Sequence, residues 1–286
     1  MVGTAHPTIN SSLTTDSRAS LHIDLASLTS LPLKRNTELI IINRLHHNNR
    51  QASEYLTLMK NINRLEWLSI VFVFLMIGIG FYLSRTDEKV YRIFVAEDGI
   101  VEWFTVVGLL IIMAISLNRA WKLKAVRSRR FIVMTFLLGT VFFLGAGEEI
   151  SWGQRIFNVE SPEFFRENNA QMETNLHNMI VGGVSINKLI FSKFWLLAML
   201  TYWFIMAPLY KYNRTFGDFV DSFAVPIPRF HHVVASVVAI ILTEVVTGAG
   251  ADEITELAFA FLFMLQVAFP YNKKIFDPDS ELKRQT

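Results

Sequence analysis

Six apolar segments dominate the chain, at about 67–84, 100–118, 131–147, 189–210, 230–247 and 254–270. A helix that crosses a bilayer needs roughly 17–25 predominantly apolar residues. All six runs meet that length, several at the short end. Backbone polar groups inside a bilayer must bond to one another, which for runs of this kind means helix. The expected fold class is therefore all-α, a polytopic membrane protein with about six transmembrane helices. Composition agrees: 52% of the 286 residues are hydrophobic and only 18% are charged, too few to cover a soluble domain of this length. A formal net charge of +2 excludes nucleic-acid binding through a basic face. The absence of cysteine excludes disulfides, thiolate zinc sites and a Cys nucleophile.

Charge gives the orientation. The connection after the second run holds Arg119, Lys122, Lys124, Arg127, Arg129 and Arg130 with no acid among them. Lys211, Arg214 and Arg229 follow the fourth run, and Lys273 and Lys274 follow the sixth. Basic connections stay on the cytoplasmic side, so both termini are expected there. The domain plan that follows has a flexible cytoplasmic tail at 1–36 and a juxtamembrane amphipathic helix at 37–65. The six-helix membrane domain covers 66–271, with an outer-face segment at 150–188, and a second cytoplasmic tail covers 272–286.

With that orientation, acids from four helices meet one face. Glu97, Asp98 and Glu102 open the second span, Glu148 and Glu149 close the third, Glu244 lies near the end of the fifth, and Asp252, Glu253 and Glu256 open the sixth. An ionisable group at membrane depth costs at least about 2.5 kcal/mol, so it normally faces a partner or a wet cavity. Helix N-terminal capping accounts for Asp98 and Asp252. It does not account for Glu148 and Glu149, which end a helix, where negative charge is unfavourable. In the outer segment, Ser161-Pro162-Glu163 reads as the start of an amphipathic outer-face helix running towards Asn178. On such a helix Glu173 and His177 are i,i+4, a spacing that lets two ligands reach one cation. The candidate catalytic residues are Glu148, Glu149, Arg155 and His177, and the candidate metal ligands are Glu149, Glu173, His177 and Glu256. A single outer histidine disfavours zinc, and carboxylates with nearby amides suit a hard divalent cation such as Mg²⁺, Mn²⁺ or Ca²⁺. Arg155 would either clamp an anionic headgroup or pair with Glu148 or Glu149.

The blocks EDGIVEW (97–103), GEEISWGQRIF (147–157) and NLHN (175–178) together resemble a group of bacterial integral membrane proteins. That resemblance implies the bacterial cytoplasmic membrane and no particular activity. In part, GEEISWGQR also resembles the Glu-Glu…Arg element of the CAAX-processing intramembrane glutamic proteases. This second resemblance implies Glu148 and Glu149 as base and partner, His177 as a second element and His232 as a third. The chain departs from that pattern in the longer spacer before Arg155, in Glu173 where a Phe is expected before His177, and in Ser236 after His232. Three functions fit these readings: a hydrolase or transferase acting on a lipid or lipid-linked substrate, a proton- or cation-coupled transporter, and a non-catalytic subunit that docks a membrane-protein partner.

Overall fold

The computed structural model describes residues 62–186 and 194–279. The amphipathic reading of 37–65 lies almost wholly outside them, as does the tail at 1–36. Helix α1 spans Arg64–Thr86. Asn63 caps it, accepting from Glu66 N while the Glu66 carboxylate accepts from Asn63 N, a reciprocal capping box. A short α2, Glu88–Phe94, leads to α3, Ile100–Leu123, and after a basic turn α4 covers Arg129–Glu149. The segment beyond α4 contains two brief helices, α5 (Gln154–Phe157) and α6 (Glu163–Asn168), and a two-residue hairpin pairing Ile180–Val181 with Val184–Ser185. The next helix begins as α7, Trp195–Thr201, passes through a π-helical stretch at Tyr202–Met206 and ends as α8, Ala207–Tyr212. Three helices complete the fold: α9 (Arg214–Ser222), α10 (Phe230–Thr243) and α11 (Ala251–Ala268).

Among the described residues the fold is all-α apart from that hairpin. Among the described residues three helices, α1, α3 and α4, are long and apolar enough to cross a membrane. The other three runs do not meet that description among the described residues. Helix α10 has 14 residues, about 21 Å of rise against the roughly 30 Å of a hydrocarbon core. The sequence run continues beyond it, but the helix ends at Thr243, and in the turn that follows Gly248 and Gly250 take positive φ of 129° and 82°. Helix α11 has 18 residues and carries Asp252, Glu253 and Glu256 in its first two turns.

Helix α11 is the hub, packing against α3, α1 and α10, while α4 lies along α3. Ile254, Leu257 and Leu265 on it are fully buried against Val73, Ile77 and Ile112. In lipid, apolar burial gives helices little reason to associate, so close approach through small residues takes its place. Gly108 shows this: a Cβ there would sit 3.1 Å from the Ala260 Cβ. Gly139 does the same between α4 and α3, where a Cβ would meet the Leu117 side chain at 3.0 Å. Leu75, Phe136, Leu137, Val141 and Phe143 point outward and exposed, as a lipid-facing surface requires.

The helices alternate, so the bundle has two chemically different ends. One gathers the ends of α1 and α4 and the starts of α3 and α11, and is acidic. The other gathers Arg119, Arg127, Arg229, Lys273 and Lys274, and is basic. Residues 272–279 are not a free tail. Asn272 Nδ2 donates to Asp221 Oδ1 at 2.8 Å and to the Val225 carbonyl at 2.9 Å, and Phe276 packs on Phe131 with Arg119 over its ring.

Candidate functional site

At the acidic end α4 stops at Glu149 and the chain reverses through Ser151, Trp152 and Gly153, all with positive φ. Gly147 makes room for this turn, because a Cβ on it would meet the Trp152 ring at 2.8 Å. Trp152 Nε1 donates to Glu148 Oε1 at 2.9 Å, and the Leu176 and His177 amides donate to Glu148 Oε2 at 2.5 and 3.2 Å. Both Glu148 oxygens are thus taken by donors that fasten the outer segment to the end of α4. Glu148 is an anchor here.

The expected outer-face helix ends at Asn168, not near Asn178, and Pro162 is its cap, not its first residue. Asn169 ends it. Its Nδ2 donates to the Asn175 carbonyl and Oδ1 at 3.0 and 2.8 Å, and its Oδ1 accepts from the Gln171 and Glu173 amides. Side-chain bonds of this kind compete with the helical ladder. Glu173 and His177 are therefore not on one helix face, and they turn to different partners.

Glu173 joins Arg155. The guanidinium donates through Nε to Glu173, through Nη1 to Asp98 at 2.6 Å and through Nη2 to Glu97. The other Glu173 oxygen accepts from Ser151 Oγ at 2.5 Å. Asn175 Nδ2 completes the arrangement, donating to Ser151 Oγ at 2.7 Å. The partners of Arg155 are thus Glu97, Asp98 and Glu173, where Glu148 or Glu149 was expected, and all three of its nitrogens are engaged. It is not disposed to clamp an anionic headgroup. Burial works to lower the Arg155 pKa, but hydrogen bonds to Asp98 and Glu97 raise it above its ordinary value. Burial pushes the Glu97 carboxyl up, against the pull of Arg155. Asp98 is not on the helix with Glu102. It precedes the Gly99 cap, and the Glu102 carboxylate turns back to accept from the Asp98 amide.

Glu149 lies in a second group. One oxygen each of Glu149, Glu253 and Glu256 falls within 4.8 Å of the others, in a half-buried position between α4 and α11. His177 Nε2 is 3.7 Å from Glu256 Oε1. Burial lowers the His177 pKa, against the opposing pull of Glu148 and Asp252. Of the expected ligands Glu149, Glu173, His177 and Glu256, the structure keeps Glu149 and Glu256 together with His177 beside them. Glu173 is withdrawn to Arg155, and Glu253 stands where it was expected. The signal for Glu253 was present in the i,i+3 spacing to Glu256, which shares a helix face as well as i,i+4 does. Glu244, at the end of α10, is exposed and joins neither group. Three ionised carboxylates at this separation repel by roughly 3.5 kcal/mol per pair at an effective dielectric of 20. A divalent cation or bound protons would relieve that.

His232 lies elsewhere. Its Nε2 is 3.0 Å from Glu66 Oε1 at the basic end. Ser236, one turn along α10, bonds Gln266 at 3.2 Å, and Gln266 is ten residues along α11 from Glu256. That places His232 about 20 Å from the three carboxylates. Sequence reasoning missed Glu66 and Gln266. The Asn-x-x-Glu capping pattern before α1 marked the first, and a lone amide in an apolar run marked the second.

No protein-family model, curated protein or solved structure matches the chain.

Proposed function

We propose that the protein spans the bacterial cytoplasmic membrane six times, with the acidic end outside and both termini in the cytoplasm. We infer further that it is a hydrolase or transferase acting on a lipid or lipid-linked substrate, with a divalent cation held by Glu149, Glu253 and Glu256. One observation carries this reading: three carboxylates from two helices converge, with a histidine alongside, while Arg155 bonds other acids. Oxygen-only donors favour a hard cation such as Mg²⁺ or Mn²⁺, which keeps waters that a substrate oxygen can displace. The group sits where spans end, so headgroup depth is the natural location for its substrate. His177 is the candidate for moving a proton. Arg155 and Glu148 hold the outer segment in position.

The test uses purified protein in nanodiscs of bacterial polar lipid, incubated with Mg²⁺, Mn²⁺ or chelator, with the lipids read by mass spectrometry. A new lipid species that needs cation and disappears in Glu253→Gln is the expected result. Unchanged lipids under every condition would sink the enzymatic reading.

A second reading, cation- or proton-coupled transport, is favoured by one specific feature. Buried polar groups continue across the bundle, because Gln266 bonds both Trp203 Nε1, at 2.9 Å, and Ser236 Oγ, and His232 and Glu66 lie beyond them. Proteoliposome flux that is lost in Gln266→Leu, without any lipid product, would favour transport.

A further inference from the structure

At the basic end, α1 and α10 bring Glu66, His231 and His232 to a common point. Glu66 and His232 are fully buried, and His231 retains about a fifth of its side-chain surface. Glu66 Oε1 lies 3.2 Å from His231 Nε2 and 3.0 Å from His232 Nε2, and the three ligand atoms fall within 4.8 Å of one another. Arg229 Nη1 lies 3.1 Å from the same oxygen.

As a hydrogen-bonded cluster this is crowded. Three nitrogen donors would converge on Oε1, which has two lone pairs, while Oε2 already accepts from the Asn63 amide at 2.9 Å. As a coordination shell the spacing is ordinary. Zinc holds imidazole nitrogen and carboxylate oxygen at roughly 2.0–2.2 Å, so neighbouring ligand atoms of a tetrahedron stand about 3.3 Å apart. Two imidazoles and one carboxylate suit zinc and similar borderline cations, unlike the oxygen-only group at the acidic end. Arg229 Nη1 is also 3.4 Å from Glu66 Oε2. It can remain there as the outer partner of a ligating carboxylate.

We propose that Glu66, His231 and His232 form a transition-metal site of the zinc class at the cytoplasmic end, tying the start of α1 to the start of α10. Three protein ligands leave a fourth position for water or another donor. The proposal is independent of any chemistry at the acidic end.

Tag-free full-length protein in nanodiscs is stripped with chelator, loaded with Zn²⁺ and washed. Bound metal is then counted, and X-ray absorption at the zinc edge reports the ligands. Wild type should retain zinc with the outer-shell scattering of two imidazoles. Glu253→Gln should leave that signal in place, whereas Glu66→Gln and the milder His231→Gln should each weaken zinc retention by at least about 10-fold. A His46→Gln, His47→Gln double variant should keep the zinc. If it loses the zinc while Glu66→Gln keeps it, the N-terminal histidines are the ligands and the proposal fails. It fails too if wild type takes up no zinc, or if its spectrum shows fewer than two imidazoles, a measurement that needs no variant to fold.

Discussion

The two ends of the bundle solve the problem of buried charge in opposite ways. At the basic end a single carboxylate, Glu66, is surrounded by positive or donor groups from Arg229, His231, His232 and its own helix cap. At the acidic end carboxylates outnumber their partners. Arg155 satisfies Glu97, Asp98 and Glu173, and the group of Glu149, Glu253 and Glu256 lies beside a histidine whose burial disfavours its charged form. An over-supplied acid holds structure together. A group of acids within 4.8 Å of one another stores repulsion that a ligand can relieve, which is why the function is assigned to that end. Removing an acid should therefore have opposite effects at the two ends.

The largest expected effect is at Glu66. Glu66→Ala strips a fully buried carboxylate from Arg229 and two histidines, and should cost roughly 3–5 kcal/mol. The readout is the apparent unfolding midpoint in detergent at a fixed scan rate. A midpoint equal to wild type would mean that the basic end is not balanced around Glu66. Arg155→Gln comes next. It leaves Glu97, Asp98 and Glu173 facing one another, but the guanidinium is a third exposed, so water screens part of the loss. A cost of about 2–3 kcal/mol is expected, with easier proteolysis in 150–186. A variant that resists protease like wild type would show that Arg155 does not hold the outer segment. In Glu253→Gln the sign reverses. With chelator present it should be more stable than wild type, by about 1 kcal/mol or more, because one repulsive partner is gone. Added Mg²⁺ or Mn²⁺ should then stabilise wild type more than the variant. Equal responses to cation would end the distinction between the two ends.

The sequence carried some of this plainly. Helices α1, α3 and α4 could be read because each is long, apolar and bounded by charge, so length alone decides. The run at 230–247 was less legible, because hydrophobicity says nothing about where the backbone turns: α10 ends at Thr243, and Gly248 and Gly250 take positive φ in the turn beyond. The outer segment misled for a different reason. A Pro-Glu start signals a helix, but Asn169 offers the backbone competing bonds, accepting from the Gln171 and Glu173 amides and donating to Asn175. The convergence of acids on one end was legible, since helix order and charge imply it. Which acids pair was not. Arg155 could reach several carboxylates from its position in the chain, and the tight turn at Ser151–Gly153 determines that it meets Glu97, Asp98 and Glu173.

The smallest effect concerns His177, and it depends on pH. Burial lowers its pKa in the folded protein, so between the folded value and an unfolded value of about 6.5 the unfolded chain binds a proton that the folded chain refuses. Its contribution is therefore complete above about pH 6.5 and is lost as pH falls through the folded value. Glu97 acts in the other direction. Burial raises its pKa, so the folded chain holds a proton that the unfolded chain has released, and the stability this gives falls away as pH rises above about 4.5. The two partly cancel between these values, so the wild-type profile alone is a poor test. The difference between wild type and His177→Gln isolates the histidine. The variant should lose less stability than wild type between pH 7 and pH 5.5, measured with chelator present so that cation binding does not contribute. If the two profiles run parallel, His177 is not held neutral by the fold, and it could then serve as a counter-charge for Glu149, Glu253 and Glu256. The acidic end would in that case be as well matched as the basic end, and the case for a cation there would fail.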